Sequence, residues 1–347
     1  MNELFRKYKG RCVLITGGLG FIGSNLAHRL AEMGDVEIRI IDSLQPDQGG
    51  NHFNLHGIEN RVRLHLTDMS DDRVMNDLVC GADYVFNLAG SLSHLNSVLY
   101  PQRDLHNNCT AQLTLLEACR HFNPQAKIVY TSTRQIYGQH EYLPLDEKHR
   151  VVPPDINGIH KHAAEQYHEL YHRLFGVRST ILRLTNTYGP RHLMRHNQQG
   201  FMGWFIRKAI DGEVIEIFGD GQQQRDLNYV EDVVDALLLA GADERVDGET
   251  FNLGGARPVS LLDCTRELIA LTGRGSIRLI PFPPQRKAID IGDVYSDWRK
   301  IESRLGWRPQ TELREGLRRT IAFYEQHREH YWNANQLSQS QAKLRRA

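Results

Sequence analysis

The sequence has no net charge, with 42 Lys and Arg against 42 Asp and Glu in 347 residues. That balance lacks the basic excess on which nucleic acid or an anionic membrane would draw, so neither is expected as a partner. Cysteine is scarce. Cys12, Cys80, Cys109, Cys119 and Cys264 are odd in number and show no CxxC spacing. Free thiols in a reducing, cytoplasmic compartment are the expectation. No apolar run approaches the roughly 18–20 residues of a membrane span. The opening "MNELFRKYKGRCVLITGG" reaches its first apolar run only at Val13, then meets glycine four residues later. It lacks the apolar stretch of a signal peptide. Internal repeats are absent too, and the 17 histidines are scattered.

What is present is an alternation. "CVLIT" (12–16), "VEIRIID" (36–42), "RVRLHL" (61–66), "YVFNLA" (84–89), "KIVYTS" (127–132) and "STILRL" (179–184) read as strands. Helical patterns over 21–33, 72–79, 109–122 and 160–174 separate them. Strand–helix alternation with nearly continuous apolar strands predicts a doubly wound α/β fold around a parallel sheet. After about residue 185 the rhythm changes to short strands ("EVIEIFG", "ETFNLG"), helices over 229–241, 259–271 and 312–326, and the Pro-rich "PFPP". The division predicted is a nucleotide-binding domain over 1–185, a smaller α/β lobe over 186–330 and a polar tail over 331–347.

The strongest local signal is "VLITGGLGFIGSNLAHRL". A strand runs into Gly17, Gly18, Gly20 and Gly23, and an amphipathic helix follows. The string fits GxGxxG through Gly18, Gly20 and Gly23, and GxxGxxG through Gly17, Gly20 and Gly23. Glycine allows the tight turn and lets backbone N–H groups approach a pyrophosphate, while the helix N-terminus adds donors and a favourable dipole. Asp42 closes the next strand, 19 residues past Gly23. A carboxylate there accepts from a ribose 2′-OH and repels a 2′-phosphate. Neither Ser43 nor Leu44 supplies a compensating positive charge, so NAD is predicted over NADP.

Together with "LTDMSD", "VFNLAG", "YTSTRQIYG", "LRLTNTYGPR" and "FGDGQQQRDLNYVEDVVDAL", these motifs resemble the extended short-chain dehydrogenase/reductases over about residues 10–328. Within them the chain is similar to nucleotide-sugar epimerases, dehydratases and decarboxylases, the UDP-glucose 4-epimerase type above all. The resemblance implies a Rossmann domain holding NAD and a lobe holding a nucleoside diphosphate sugar. By position it implies cofactor contacts from Gly17, Gly20, Phe21, Ile22, Gly23, Asp42, Asp68, Leu88, Ala89, Gly90 and Asn108. It places Thr133 as the catalytic Ser/Thr and Lys161 as the lysine on the nicotinamide ribose. Asn186 and Arg225 match diphosphate-sugar contacts, with Arg286 or Lys287 as a further phosphate-binding group. A homodimer through helices near 99–122 and 157–174 is implied, with Leu113, Leu116, Tyr167 and Leu170 able to pack there.

One family residue is missing. The family pattern is YxxxK, and this chain reads Asn157-Gly158-Ile159-His160-Lys161. An amide cannot serve as a proton base near neutral pH. General acid–base catalysis is worth about 10²–10⁴ in rate, or roughly 3–5 kcal/mol of barrier. Either His160 or His94 replaces the phenol, with Tyr137 a weaker candidate. Alternatively substrate, Thr133 and Lys161 relay the proton, with Arg134 fixing a carboxylate or an oxyanion. Epimerisation is the leading expectation. Arg134 and Gln135 stand where the family's dehydratases carry Asp and Glu, and decarboxylases carry Glu in place of Arg134, so both rank lower. A protein that binds a nucleotide sugar without turnover is the remaining alternative. "HELYH" (168–172) spells HExxH, but no third ligand is evident, so no metal is expected; its histidines are expected to be solvated or at an interface.

Overall fold

The computed structural model describes residues 6–46, 48–196, 199–283 and 291–332. In chain order these form β1 (Arg11–Thr16), α1 (Phe21–Glu32), β2 (Val36–Asp42), β3 (Val62–Leu66), α2 (Asp72–Val79), β4 (Tyr84–Asn87), α3 (His94–Leu99), α4 (Pro101–Leu105), α5 (Ala111–Phe122), β5 (Lys127–Thr133), α6 (Ile156–Phe175) and β6 (Arg178–Leu184). There follow β7 (Asn186–Tyr188), α7 (Phe201–Asp211), β8 (Val214–Phe218), β9 (Gln224–Tyr229), α8 (Val230–Ala242), β10 (Thr250–Asn252), β11 (Pro258–Ser260), α9 (Leu261–Thr272), β12 (Ser276–Ile280), α10 (Arg299–Leu305) and α11 (Leu313–Tyr331).

Seven strands make one parallel sheet in the order β10-β6-β5-β4-β1-β2-β3. This is the doubly wound Rossmann arrangement. The chain starts at β1, works outward through β2 and β3, then returns to build β4 to β6 on the other side. Ligands bind outside the strand C-termini where the order reverses. β1 has five consecutive buried residues after Arg11, as a strand covered on both faces must. α1 buries Gly23, Leu26, Ala27, Leu30 and Ala31, a helical stripe against the sheet.

The later elements do not all stay apart from this sheet. β10, from "ETFNLG", pairs with β6 as the seventh strand, and Val233, Val234 and Leu237 of α8 join the core around β1. A second core contains Met202, Phe205, Ile215, Leu268, Leu317 and Tyr324 from α7, β8, α9 and α11. Tyr331 and Trp332, assigned to the polar tail from sequence, are buried in this second core. Two small sheets complete it, β11-β9-β7 and β12-β8.

α6 is built unlike its neighbours. Asp155 caps its start by accepting from Gly158 N–H at 2.8 Å, and Gly176 closes it in the left-handed conformation at φ 70°. Its buried stripe is Asn157, Lys161, Ala164, Glu165 and His168. A helix whose inward face is this polar needs partners for each group. Glu165 has a two-pronged pair with Arg183, at 2.9 and 2.8 Å. His168 stacks on Tyr130 with ring centroids 4.6 Å apart and lies 2.7 Å from Ser179 Oγ. Its burial is a correction to the solvated or interface placement expected for HExxH. His172 instead lies 3.0 Å from the Val177 carbonyl, so each histidine has its own partner.

Candidate active site

The C-terminal ends of the central strands open on one cleft of about 1740 Å³, mouth included. At one end stands the glycine turn. Gly17 has φ +71°, and a Cβ there would lie 3.0 Å from the Ala89 backbone. A Cβ at Gly23 would strike the Gly17 carbonyl oxygen. Gly18 faces the other way, where a Cβ would meet Ile40 of β2 at 2.5 Å. This separates the two registers: Gly17, Gly20, Phe21, Ile22 and Gly23 border the cleft, whereas Gly18 supports the sheet. α1 begins at Gly20 with no side-chain cap and no acidic residue in its first turn. Its first N–H groups and dipole are left for an anion.

Asp42 sits at the rim. Its two oxygens accept from Leu19 N–H at 3.0 Å and Leu44 N–H at 2.8 Å. Burial lifts its pKa above the usual carboxylate value against those two bonds. Each oxygen keeps lone-pair capacity for a ribose diol. Asp68, Leu88, Ala89 and Gly90 border the same cleft. The close-approach glycines, the uncapped helix and the rim carboxylate fit a dinucleotide with a free 2′-OH, which is NAD.

At the other end the cleft is bordered by Thr133, Asn157, Lys161, His94 and Asn186. Thr133 Oγ1 accepts from Gln135 N–H at 3.1 Å, so its own hydrogen is available to donate. Lys161 is buried and donates to the Thr131 carbonyl at 3.2 Å. Burial lowers its pKa to about 8, despite Asp104 and Glu165 nearby. Asn157 donates both amide hydrogens inward, to the Ser91 carbonyl at 2.8 Å and to Asp104 Oδ2 at 3.0 Å. Only its carbonyl oxygen remains to offer, so this side chain accepts and does not donate.

The two histidines separate. His94 borders the cleft, with Nδ1 2.8 Å from Asp155 Oδ2, an ion-pair distance without hydrogen-bond alignment. Burial pulls the Asp155 pKa up, but His94, the Gly158 N–H and Gln135 outweigh it and hold the carboxyl below its usual value. His160 is hydrogen-bonded to Asp104 at 2.7 Å, but it is not among the residues bordering the cleft. Tyr137 is fully buried and donates to Asn252 Oδ1 at 2.7 Å.

Three other expected residues are not among those that border the cleft. Asn108 lies in a π-helical turn, His106–Thr110, which joins α4 to α5. It braces Ser91 through both backbone groups at 3.2 Å and donates to Asp104 Oδ1 at 3.1 Å. Arg134 is buried beside Thr133. Arg225 Nη1 donates to the Gln224 and Gly292 carbonyls at 2.8 and 2.6 Å. Arg286 and Lys287 lie outside the described residues.

Asp104 was missed from sequence. It is buried and joins Asn108, Asn157 and His160, residues up to 56 positions away. Asp155, the partner of His94, was also missed. A capping Asp before a polar helical stripe was the available signal for it. No comparable local pattern marks Asp104.

The NAD dependent epimerase/dehydratase family model matches residues 13–254. A putative UDP-glucose 4-epimerase from Methanocaldococcus jannaschii is 32% identical over 312 residues, which is 89% of this chain and 97% of that protein. The solved UDP-glucose 4-epimerase of Thermotoga maritima, in complex with UDP-glucose, superposes with a TM-score of 0.82 at 31% identity, covering 91% of this chain and 99% of that one. The dTDP-glucose 4,6-dehydratase of Streptomyces venezuelae, solved with NAD bound, gives 0.83 at 27% identity over 92% and 98%. Family-model coverage of most of the chain, relatives matched end to end and a glycine cradle suited to NAD lead to one conclusion: the chain belongs to the NAD dependent epimerase/dehydratase family.

Proposed function

We propose that the chain is an NAD-dependent nucleotide-sugar epimerase that transiently oxidises a ring carbon, C4 in the first instance, with His94 in place of the family tyrosine as proton carrier. The supporting observation is the common cleft. The glycine turn, Asp42, Lys161, Thr133 and His94 all border one space, with Asp155 against His94 Nδ1. The relatives named above include enzymes described as acting on UDP-glucose and dTDP-glucose, which supports a sugar nucleotide as substrate. Bound NAD supplies a hydride acceptor that can later return the hydride.

Each side chain then has a defined task. His94 Nδ1 faces Asp155, which leaves Nε2 to take the proton of the reacting hydroxyl. Asp155, against Nδ1, orients the ring. Thr133 donates to the reacting oxygen, and Lys161 holds the nicotinamide ribose and adds positive charge beside that oxygen. Asn157 accepts from a substrate hydroxyl or a water and does not titrate. Asn186 and Arg225 serve the diphosphate, for which a guanidinium is well shaped.

The same reading includes a homodimer. Val98, Leu99, Tyr100, Ile159, Leu170 and Leu174 leave large apolar side chains exposed on α3, α6 and the turn after α3. Of the positions suggested from sequence, Leu116 is buried in the subunit core, Tyr167 is partly buried against that core and Leu170 is exposed. The test is incubation of NAD-loaded protein with UDP-, GDP-, CDP- and dTDP-sugars. The expected result is an epimer with transient NADH absorbance. Binding of NAD without conversion of any sugar nucleotide would contradict catalysis.

A further inference from the structure

The residue after Thr133 carries an unexplained charge. Arg134 is 91% buried, and both its Nε and Nη1 hydrogens are buried without an acceptor. No carboxylate lies within 4.0 Å of it among the described residues. The opposing charge that acts on it is Asp226, which lies beyond ion-pair distance and has partners of its own. Asp226 accepts from Ser296 N–H at 3.0 Å and from Thr185 Oγ1. Arg225 is close enough to repel Arg134, and burial together with that repulsion lowers the Arg134 pKa to about 10. A buried guanidinium with two unsatisfied donors costs stability unless an anion completes it. Buried orphan donors in a folded protein call for such an explanation.

We propose that Arg134 receives the carboxylate of a hexuronic acid, so that the preferred substrate is a nucleotide-linked uronic acid rather than a neutral hexose. This rests on the nucleotide-sugar reading above and narrows it. The argument for a carboxylate on the ring, rather than the diphosphate, is one of place. Arg134 adjoins Thr133, which holds the reacting hydroxyl at C4. The neighbouring C5 substituent is within the same region, whereas the diphosphate hangs from C1 across the ring. A guanidinium can form paired N–H···O bonds with a carboxylate, while a neutral hydroxymethyl group would leave the buried charge uncompensated.

The experiment compares UDP-glucuronate with UDP-glucose, and corresponding pairs on other nucleotides, by kcat/KM and by calorimetric binding to NAD-loaded protein. Wild type should favour the uronic acid by about 10²-fold or more. Arg134→Gln should collapse that ratio, and Arg134→Lys should restore part of it. If the neutral sugar is preferred, or if Arg134→Gln lowers both substrates equally, the carboxylate assignment is overturned and the epimerase reading stands. If neither class binds or turns over while NAD loads normally, both fall.

Discussion

Two His–Asp pairs flank the start of α6, and their difference is instructive. His94–Asp155 and His160–Asp104 have nearly the same separation, 2.8 and 2.7 Å. His94 of the first pair borders the cleft. The second lies behind it, where Asp104 also accepts from Asn157 and Asn108. In the proposed function His94 exchanges a proton with a ligand. The inner pair can hold a wall. Chemical type and pair distance are alike, and on the reading proposed above it is access to the cleft that separates a catalyst from a brace.

The largest expected effect breaks the outer pair. His94→Gln should lower kcat by about 10²–10⁴-fold with NAD loading intact, whereas His160→Gln should lower it by less than about tenfold. Steady-state rates on a converted sugar nucleotide decide between them, and equal losses would erase the distinction. The inner pair should instead register as stability. Asp104→Asn removes a buried charge that serves three partners and should cost about 3 kcal/mol in urea unfolding. A smaller effect separates the two duties of Asp155. Asparagine caps a helix about as well as aspartate, so Asp155→Asn should leave the melting temperature nearly unchanged. Loss of the Asp155 charge beside His94 should slow turnover about tenfold, near 1.4 kcal/mol.

The smallest effects concern pH. His168 has a folded pKa of about 3, lowered first by burial and then by Lys161. Its unfolded value is about 6.5, so the folded protein binds fewer protons between the two. Stability from this group is lost as pH falls from about 6.5 through 3. Lys161 has a folded pKa of about 8 against about 10.4 unfolded. Stability should therefore rise as pH passes upward through that window. Lys161→Met should flatten this alkaline limb in thermal melts while turnover is lost.

Much of the cofactor half of the cleft could be read in advance. Its determinants are local: a strand, glycines at fixed spacing, a helix and a carboxylate ending the next strand. Even so, the residues alone allowed two glycine registers; the resemblance favours Gly17, Gly20 and Gly23, and Gly18 packs on Ile40. The catalytic half depends on contacts between distant segments. Asn157 meets Ser91 and Asp104 across 66 and 53 residues, and no periodicity carries that information. β10 shows the same limit in the fold, since "ETFNLG" has ordinary strand character whichever sheet it joins. α6 offered an intermediate case. The polar stripe Asn157, Lys161, Glu165, His168 has helical spacing and marks a buried functional face, although Arg183 and Tyr130, which satisfy it, come from the sheet.

The most direct measurement follows the hydrogen on the oxidised carbon. A sugar nucleotide that the enzyme converts is prepared with deuterium at C4 and incubated with NAD-loaded protein in ordinary water. The account predicts an inverted sugar that still carries its deuterium at C4, because the hydride returns within the same site. Transfer of the label to C6 would identify a dehydratase, and its loss to solvent would contradict hydride return altogether.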